Sequence, residues 1–272
     1  METKRIYLYN DSDDVYLDAY ICRKNTHVNF KRKAILIIPG GGYGCVCSDR
    51  EGEPVAEAFI PHGYNAFVLK YSVARKMVYP AQLIEASLAI KHIKDNAEEY
   101  GIDPNQVFAT GFSAGGHLCT MLGTMWHRKE VSEAIPDMEY GHNKPKGIMP
   151  IYAVVSAFDH PHKGSFQNLL GKDEPTEEEL KYVSAELAVD EKSSPAFIAH
   201  TAKDTCVPVQ NSLALARAYA EKGIDFELHI YPYGPHGLAL GNEITSTEWA
   251  AMIQPRFADW VNQATLWAEG LK

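Results

Sequence analysis

The stretch Gln106-Val107-Phe108-Ala109-Thr110-Gly111-Phe112-Ser113-Ala114-Gly115-Gly116-His117-Leu118-Cys119-Thr120-Met121-Leu122 decides the reading of this chain. Residues 106–110 are β-branched and aromatic enough to read as a strand. Leu118, Met121 and Leu122 fall at i, i+3 and i+4, so a helix follows. Between them lies Gly-x-Ser-x-Gly, a common pattern alone and a specific one between a strand and a helix. A serine hydroxyl attacks well when it projects from a sharp turn with little bulk around it. Gly111 and Gly115 remove side chains where strand and helix converge. The helix N-terminus behind Ser113 favours negative charge developing there. Ser113 is therefore the candidate nucleophile; the competing reading is a glycine-rich turn with an incidental serine.

Upstream of that stretch, residues 34–38, Ala-Ile-Leu-Ile-Ile, form a continuous apolar run suited to a strand buried on both faces. The run ends in Pro39-Gly40-Gly41-Gly42-Tyr43. Residues 4–9 and 15–24 alternate as two antiparallel strands joined through 10–14. A helix is expected over 53–61, a strand over 65–71, and an amphipathic helix over 82–99 with Leu83, Ala86, Ile90, Ile93 and Ala97 on one face. Downstream come a polar loop over 127–146, a strand over 147–155, an irregular stretch over 157–176 and a helix over 177–188. A strand over 197–201, a helix over 208–222, a strand over 226–231 and a helix over 248–269 carrying Trp249, Trp260 and Trp267 complete the pattern. Such alternation predicts an α/β fold, a mostly parallel sheet with helices on both faces. Ligands bind such sheets at the carboxyl ends of the strands. With no repeat, low-complexity tract or linker, 1–272 reads as a single domain, with 157–190 as a lid or pocket wall.

Composition narrows the function classes. The 272 residues are 46% hydrophobic, and 26 basic against 35 acidic residues leave a net charge of -9. That balance disfavours nucleic acid and anionic membrane as partners. Met1-Glu2-Thr3-Lys4-Arg5 runs into a strand with no apolar core of signal-peptide length, and no stretch approaches the ~18 apolar residues of a membrane helix. Cys22, Cys45, Cys47, Cys119 and Cys206 are odd in number and scattered, which fits a reducing cytoplasm. Cys45 and Cys47 are too closely spaced for the usual zinc pair and no second pair exists, so neither metal nor cofactor is expected.

A nucleophilic serine needs a base to take its proton and an acid to orient that base, here in the order Ser, Asp or Glu, His. His236 lies between Gly234-Pro235 and Gly237 after the last expected strand, and is the candidate base. Asp204 ends the segment after the preceding strand and is the candidate acid; helix capping is the competing role. Asp159, after the strand before that, is its rival. The oxyanion needs two backbone donors: Ala114 N–H supplies one, and the Gly41-Gly42 loop the other. A phosphate cradle is excluded there because the run lacks a Gly-Lys-Ser/Thr ending. Tyr43, His160 and His162 are the candidate substrate contacts. Polar neighbours Lys163, Ser165 and Gln167 favour a hydroxyl-rich alcohol and a short acyl group. His117 reads as a packing or hydrogen-bonding residue and His200 as core.

These segments resemble an α/β-hydrolase, and more narrowly the bacterial esterases typified by acetyl-xylan esterases, in the hormone-sensitive-lipase and prolyl-oligopeptidase neighbourhood. The resemblance rests on Pro39-Gly-Gly-Gly-Tyr43, Arg50-Glu-Gly-Glu-Pro-Val-Ala56, Gly111-Phe-Ser-Ala-Gly-Gly-His-Leu118, His200-Thr-Ala-Lys-Asp-Thr-Cys-Val-Pro208 and Gly234-Pro-His-Gly-Leu238. It implies Ser113, Asp204 and His236 as a triad, and Gly41, Gly42 and Ala114 as oxyanion donors. It also implies a cofactor-free serine carboxylesterase of short-chain acyl esters working through an acyl-enzyme. Because secreted xylan esterases carry signal peptides, a small acetylated sugar is the expected substrate and partner; a homodimer is compatible with the chain. An arylformamidase or small peptidase would share the triad. A non-catalytic binding protein on this scaffold would be expected to have lost part of it.

Overall fold

The computed structural model describes residues 1–9, 14–24, 30–247 and 250–271. Among these residues, eight strands form one sheet: β1 (Glu2–Tyr7), β2 (Tyr16–Ile21), β3 (Arg32–Ile38), β4 (Tyr64–Lys70), β5 (Ile102–Phe112), β6 (Ile148–Ile151), β7 (Ala196–Thr201) and β8 (Phe226–Tyr231). Their order is β1-β2-β4-β3-β5-β6-β7-β8. β1 and β2 pair antiparallel at one edge, and β2 runs antiparallel to β4; every other pairing is parallel. The expected α/β-hydrolase fold is observed.

Period-2 alternation splits each central strand between two cores. Ala34, Leu36 and Ile38 face one cluster, which the helices Ala81–Asp95, Ser113–Thr124 and Gln210–Lys222 cover. Ile35 and Ile37 face the other, under the helices Glu53–Phe59 and Trp260–Gly270. Since β3 buries both faces from Ala34 to Ile38, that part of its sequence is uniformly apolar. Each large side chain buried this way contributes about 1.5–3 kcal/mol. Trp260 anchors the second layer: its ring lies 5.9 Å from those of Phe59 and Phe112, and its indole N–H donates to Ala239 O at 2.9 Å.

Register positions the site. Ile38 of β3 stands opposite Gly111 of β5, and Phe112 opposite Ile151 of β6. The glycine run after β3 and Ser113 after β5 therefore emerge side by side at the sheet's carboxyl edge.

Several local expectations need correction. The stretch 157–176 is not irregular throughout: Lys163–Leu170 is a helix that buries Ser165, Phe166 and Leu169 and ends at Gly171 with φ +67°. Its two turns are too short for a clear period. The long helix stops at Asp95, where the Asn96 side chain donates to His92 O at 2.8 Å, and a short turn, Ala97–Tyr100, follows. The strand after the polar loop ends at Ile151 because Tyr152 takes φ +38°. The closing helix is broken, with Pro255 opening a separate turn, Pro255–Ala258, before Trp260–Gly270. Trp249, and the link through residues 10–13, lie outside the described residues. A short helix, Lys129–Ala134, also interrupts the polar loop.

Candidate active site

Ser113 takes φ +54° at the junction of β5 and its helix. The left-handed region is unfavourable for a residue with a Cβ, so packing must hold it there. That packing is very close. A Cβ on Gly111 would stand 2.2 Å from Gly115 O, and one on Gly115 would stand 2.1 Å from Ile38 O. Only glycine permits strand, turn and helix to approach this far.

His236 Nε2 lies 2.8 Å from Ser113 Oγ, and His236 Nδ1 lies 2.6 Å from Asp204 Oδ2. The Asp204 carboxylate can only accept, so Nδ1 carries the proton and Nε2 is left as acceptor for the serine hydroxyl. Asp204 Oδ1 accepts the N–H groups of Cys206 and Val207, both at 2.9 Å. The turn-capping and histidine-orienting readings of Asp204 thus hold together, one oxygen each. His200 Nε2 also approaches Asp204 Oδ2 at 3.5 Å while donating to Val207 O at 2.8 Å. Burial opposes charge on Asp204, yet hydrogen bonds from His200, His236 and Val207 outweigh it and hold the carboxyl well below the usual carboxylate range. Asp159, the rival, pairs instead with its neighbour His160 at 2.6 Å in an exposed loop.

The glycine run bends back beside Ser113. Gly41 and Gly42 take φ +129° and +63°. Gly41 O accepts the N–H groups of Gly44 and Cys45, and Gly40 O that of Cys47. The N–H groups of Gly41 and Gly42 take no part in these turn bonds. Ala114 sits in the first turn of its helix, where N–H groups have no intrahelical acceptor. Ala114 adjoins Ser113 along the chain, and Gly40 is the residue of the run that comes up against it: a Cβ on Gly40 would stand 3.0 Å from Ser113 Cβ.

The expected substrate contacts divide. Tyr43 is a correction: its side chain is buried, its ring packs edge-on against Tyr71 and His117, and its hydroxyl donates to His117 Nδ1 at 2.8 Å. A ring held this way cannot present its hydroxyl to a ligand. His117 Nε2 donates to Val183 O at 2.8 Å, so this histidine is the hydrogen-bonding core residue expected of it. His160 is exposed and turned toward Asp159. His162 is half-buried, bonded through Nδ1 to Ser165 Oγ at 2.8 Å. Burial lowers its pKa and the neighbouring His236 lowers it further, against the pull of Asp204. Its Cε1 lies 4.0 Å from where a Cβ on Gly42 would stand, and Asn168 Nδ2 donates to Gly42 O at 2.9 Å. The segment 162–168 therefore docks on the glycine loop.

Two residues beside the site carried no signal of their own in the sequence. Glu51 is buried; its Oε2 accepts Gly40 N–H at 2.7 Å and its Oε1 accepts the Tyr152 hydroxyl at 2.9 Å. Burial raises its carboxyl above the usual range, against the pull of the Gly40 N–H, Arg50 and Tyr152. Tyr152 in turn accepts Ala239 N–H at 2.8 Å and packs its ring 5.1 Å from that of His236. The Arg50-Glu51-Gly52-Glu53 segment marked the spot only through its resemblance. Among the described residues no cluster of three or more His, Cys, Asp or Glu is arranged to hold a metal. No helix among them is long and apolar enough to cross a membrane.

Residues 17–219 match the BD-FAE family. A Butyrivibrio fibrisolvens protein, Endo-1,4-beta-xylanase B, is 39% identical over 81% of this chain and 34% of its own length. The acetylxylan esterase of Xylanibacter ruminicola is 30% identical over 77% of this chain and 42% of its own length. The chain thus spans about a third to two fifths of these curated relatives. The crystal structure of an acetyl ester-xyloside bifunctional hydrolase from Caldicellulosiruptor lactoaceticus superposes with a TM-score of 0.82 at 31% identity, covering 98% of this chain and 95% of that one. A family match over more than half the chain, together with a relative this similar, leads to one conclusion: the chain belongs to the BD-FAE family of α/β-hydrolases.

Proposed function

We propose that this protein is a serine carboxylesterase that removes short acyl groups, acetyl above all, from small acetylated sugars. The observation that carries the reading is the continuous relay Ser113 Oγ, His236, Asp204, with links of 2.8 and 2.6 Å. In the proposed reaction Ser113 Oγ attacks the ester carbonyl carbon while His236 Nε2 takes its proton. The carbonyl oxygen becomes an oxyanion facing the N–H groups of Ala114 and of Gly41 or Gly42. Collapse expels the alcohol, which takes the proton from His236, and leaves an acyl-serine. Water, deprotonated by His236, then releases acetate and restores the serine. Asp204 stays ionised throughout and stabilises the imidazolium.

Substrate class is supported by the names of the relatives and by the docked segment, whose His162 and Ser165 offer polar groups beside Gly42. Short acyl groups are favoured because the side chains nearest Gly42, His162 and Ser165, are polar, whereas a long apolar channel would favour a longer acyl chain by ~0.8 kcal/mol per buried methylene. The five cysteines are free, which supports a reducing compartment such as the cytoplasm.

The test is kcat/KM for nitrophenyl acetate, butyrate and octanoate, with acetate release from acetylated xylose and xylobiose alongside, for the native protein and Ser113→Ala. Acetate is expected to be the best nitrophenyl ester. The alanine variant is expected to lose several orders of magnitude, as loss of a nucleophile does. Retention within about tenfold rules out Ser113, given losses of that size. Octanoate as the best ester, or no release from any acetylated sugar, sinks the sugar-deacetylase reading.

A further inference from the structure

Resting on that reading, we infer that Glu51 is a positioning residue that locks the oxyanion loop and the base-bearing loop to each other across Ser113. The segment after β3 supplies the proposed oxyanion donors; the segment after β8 supplies His236. They lie far apart in sequence and share no ladder. The buried Glu51 side chain joins them through one path: Gly40 N–H to Oε2 at 2.7 Å, then Oε1 to the Tyr152 hydroxyl at 2.9 Å, then Ala239 N–H to that hydroxyl at 2.8 Å.

The path has a fixed direction. Gly40 N–H and Ala239 N–H are obligatory donors. Tyr152 spends its acceptor capacity on Ala239 and its single proton on Glu51, so both Glu51 oxygens must accept. Only the carboxylate does this. A glutamine presents one acceptor and one donor, so either Gly40 N–H or the tyrosine proton is left without a partner.

What the path holds is immediately beside the reacting atoms. A Cβ on Gly40 would stand 2.9 Å from Glu51 Oε2 and 3.0 Å from Ser113 Cβ, so the carboxylate and the serine crowd the same face of this glycine. Gly41 and Gly42 follow directly. At the other end, Tyr152 holds the segment three residues beyond His236, and its ring packs on the imidazole. The Arg50 guanidinium is the third contact: a Cβ on Gly237 would lie 3.3 Å from its Nη2. Glu51 is 2% exposed, so it acts through the groups it aims.

The experiment compares native protein with Glu51→Gln, Tyr152→Phe and the double variant. Turnover of nitrophenyl acetate, affinity for a short trifluoromethyl ketone and melting temperature are measured on each. In the ketone adduct Ser113 Oγ bonds the carbonyl carbon, its proton passes to His236, and the oxygen becomes an oxyanion, so affinity reads donor placement directly. Each single variant is expected to lose about 10- to 100-fold in kcat, less than the ~10²–10³ of deleting an oxyanion donor outright. KM is expected to stay within about threefold, since the ground-state carbonyl leans little on these donors. Ketone affinity should fall by the same factor as kcat, and the double variant should be no worse than the poorer single one. Losses that multiply in the double variant, full kcat in Tyr152→Phe, or a rise in KM with unchanged ketone affinity each overturn the inference. If Ser113→Ala retains turnover, the esterase reading itself fails; if Ser113→Ala is dead while both network variants are fully active, only this inference falls.

Discussion

The loops after β6 and β7 each carry an aspartate paired with a histidine at 2.6 Å, and the two pairs have nothing else in common. Asp159 and His160 are half exposed, at 57% and 50%. Asp204 is fully enclosed and its partner His236 only 19% exposed. Asp159 meets one histidine and open water. Asp204 meets two histidines and two turn N–H groups. An exposed ion pair is screened and contributes ~0–1 kcal/mol. A buried carboxylate surrounded by donors stays charged and holds its partner in one tautomer. Equal distance therefore does not mean equal consequence; what surrounds the pair decides.

The sharpest way to break this comparison is to neutralise both acids. Asp204→Asn is expected to cut kcat by about 10⁴, as loss of the orienting acid does in serine proteases, because the amide stabilises the wrong histidine tautomer. Asp159→Asn is expected to stay within about threefold of native, in keeping with a pair worth so little. Steady-state kinetics on nitrophenyl acetate decide it, and a larger loss from the Asp159 change would reverse the assignment of the acid.

Stability against pH sharpens the same contrast. The folded-state pKa of Asp204 is depressed, so the stability it contributes is present above its unfolded value, ~3.9, and is lost as pH falls toward the folded value. Asp204→Asn should therefore lower the melting temperature by a constant amount from pH 8 to about 5, and the gap should close only in acid below about pH 4. Asp159→Asn, which removes only an exposed pair, should change the melting temperature little. Thermal scans across this range check both, and a gap that widens on acidification contradicts the sign.

The smallest effect concerns the histidines of the β6 loop. His162→Ala is expected to raise KM for an acetylated sugar about 2- to 10-fold, the worth of one hydrogen bond, with nitrophenyl acetate little changed. His160→Ala should alter neither KM by more than about twofold, since its side chain is committed to an exposed pair. Equal effects from the two would mean that proximity to Gly42 carries no role in sugar binding.

What could be read along the chain was whatever local chemistry enforces. The strand-turn-helix around Ser113 is dictated by the clash that any Cβ at Gly111 or Gly115 would make. β3 announces itself because burial on both faces leaves no polar position from Ala34 to Ile38. Asp204 and His236 were legible because a strand end, a turn residue and a histidine recur in a known order along such sheets. The helix Lys163–Leu170 was not, because two turns hold too few apolar positions to set a period. Tyr43 was misread because adjacency to the glycine loop says nothing about which way the ring turns.

By itself, then, the sequence determined the α/β architecture, the strand-turn-helix at Ser113 and the candidacy of Ser113 and His236, which follow from short-range sterics, hydrophobic periodicity and the order of residues along such sheets. Only the tertiary structure decided that Asp204 and not Asp159 faces His236, that Tyr43 is core, and that Glu51 and Tyr152 join the loops on either side of Ser113. Those are contacts between residues as many as 101 positions apart. Their geometry is set by the register of parallel strands and by the requirement that every buried donor find an acceptor, and neither constraint leaves a mark on neighbouring residues.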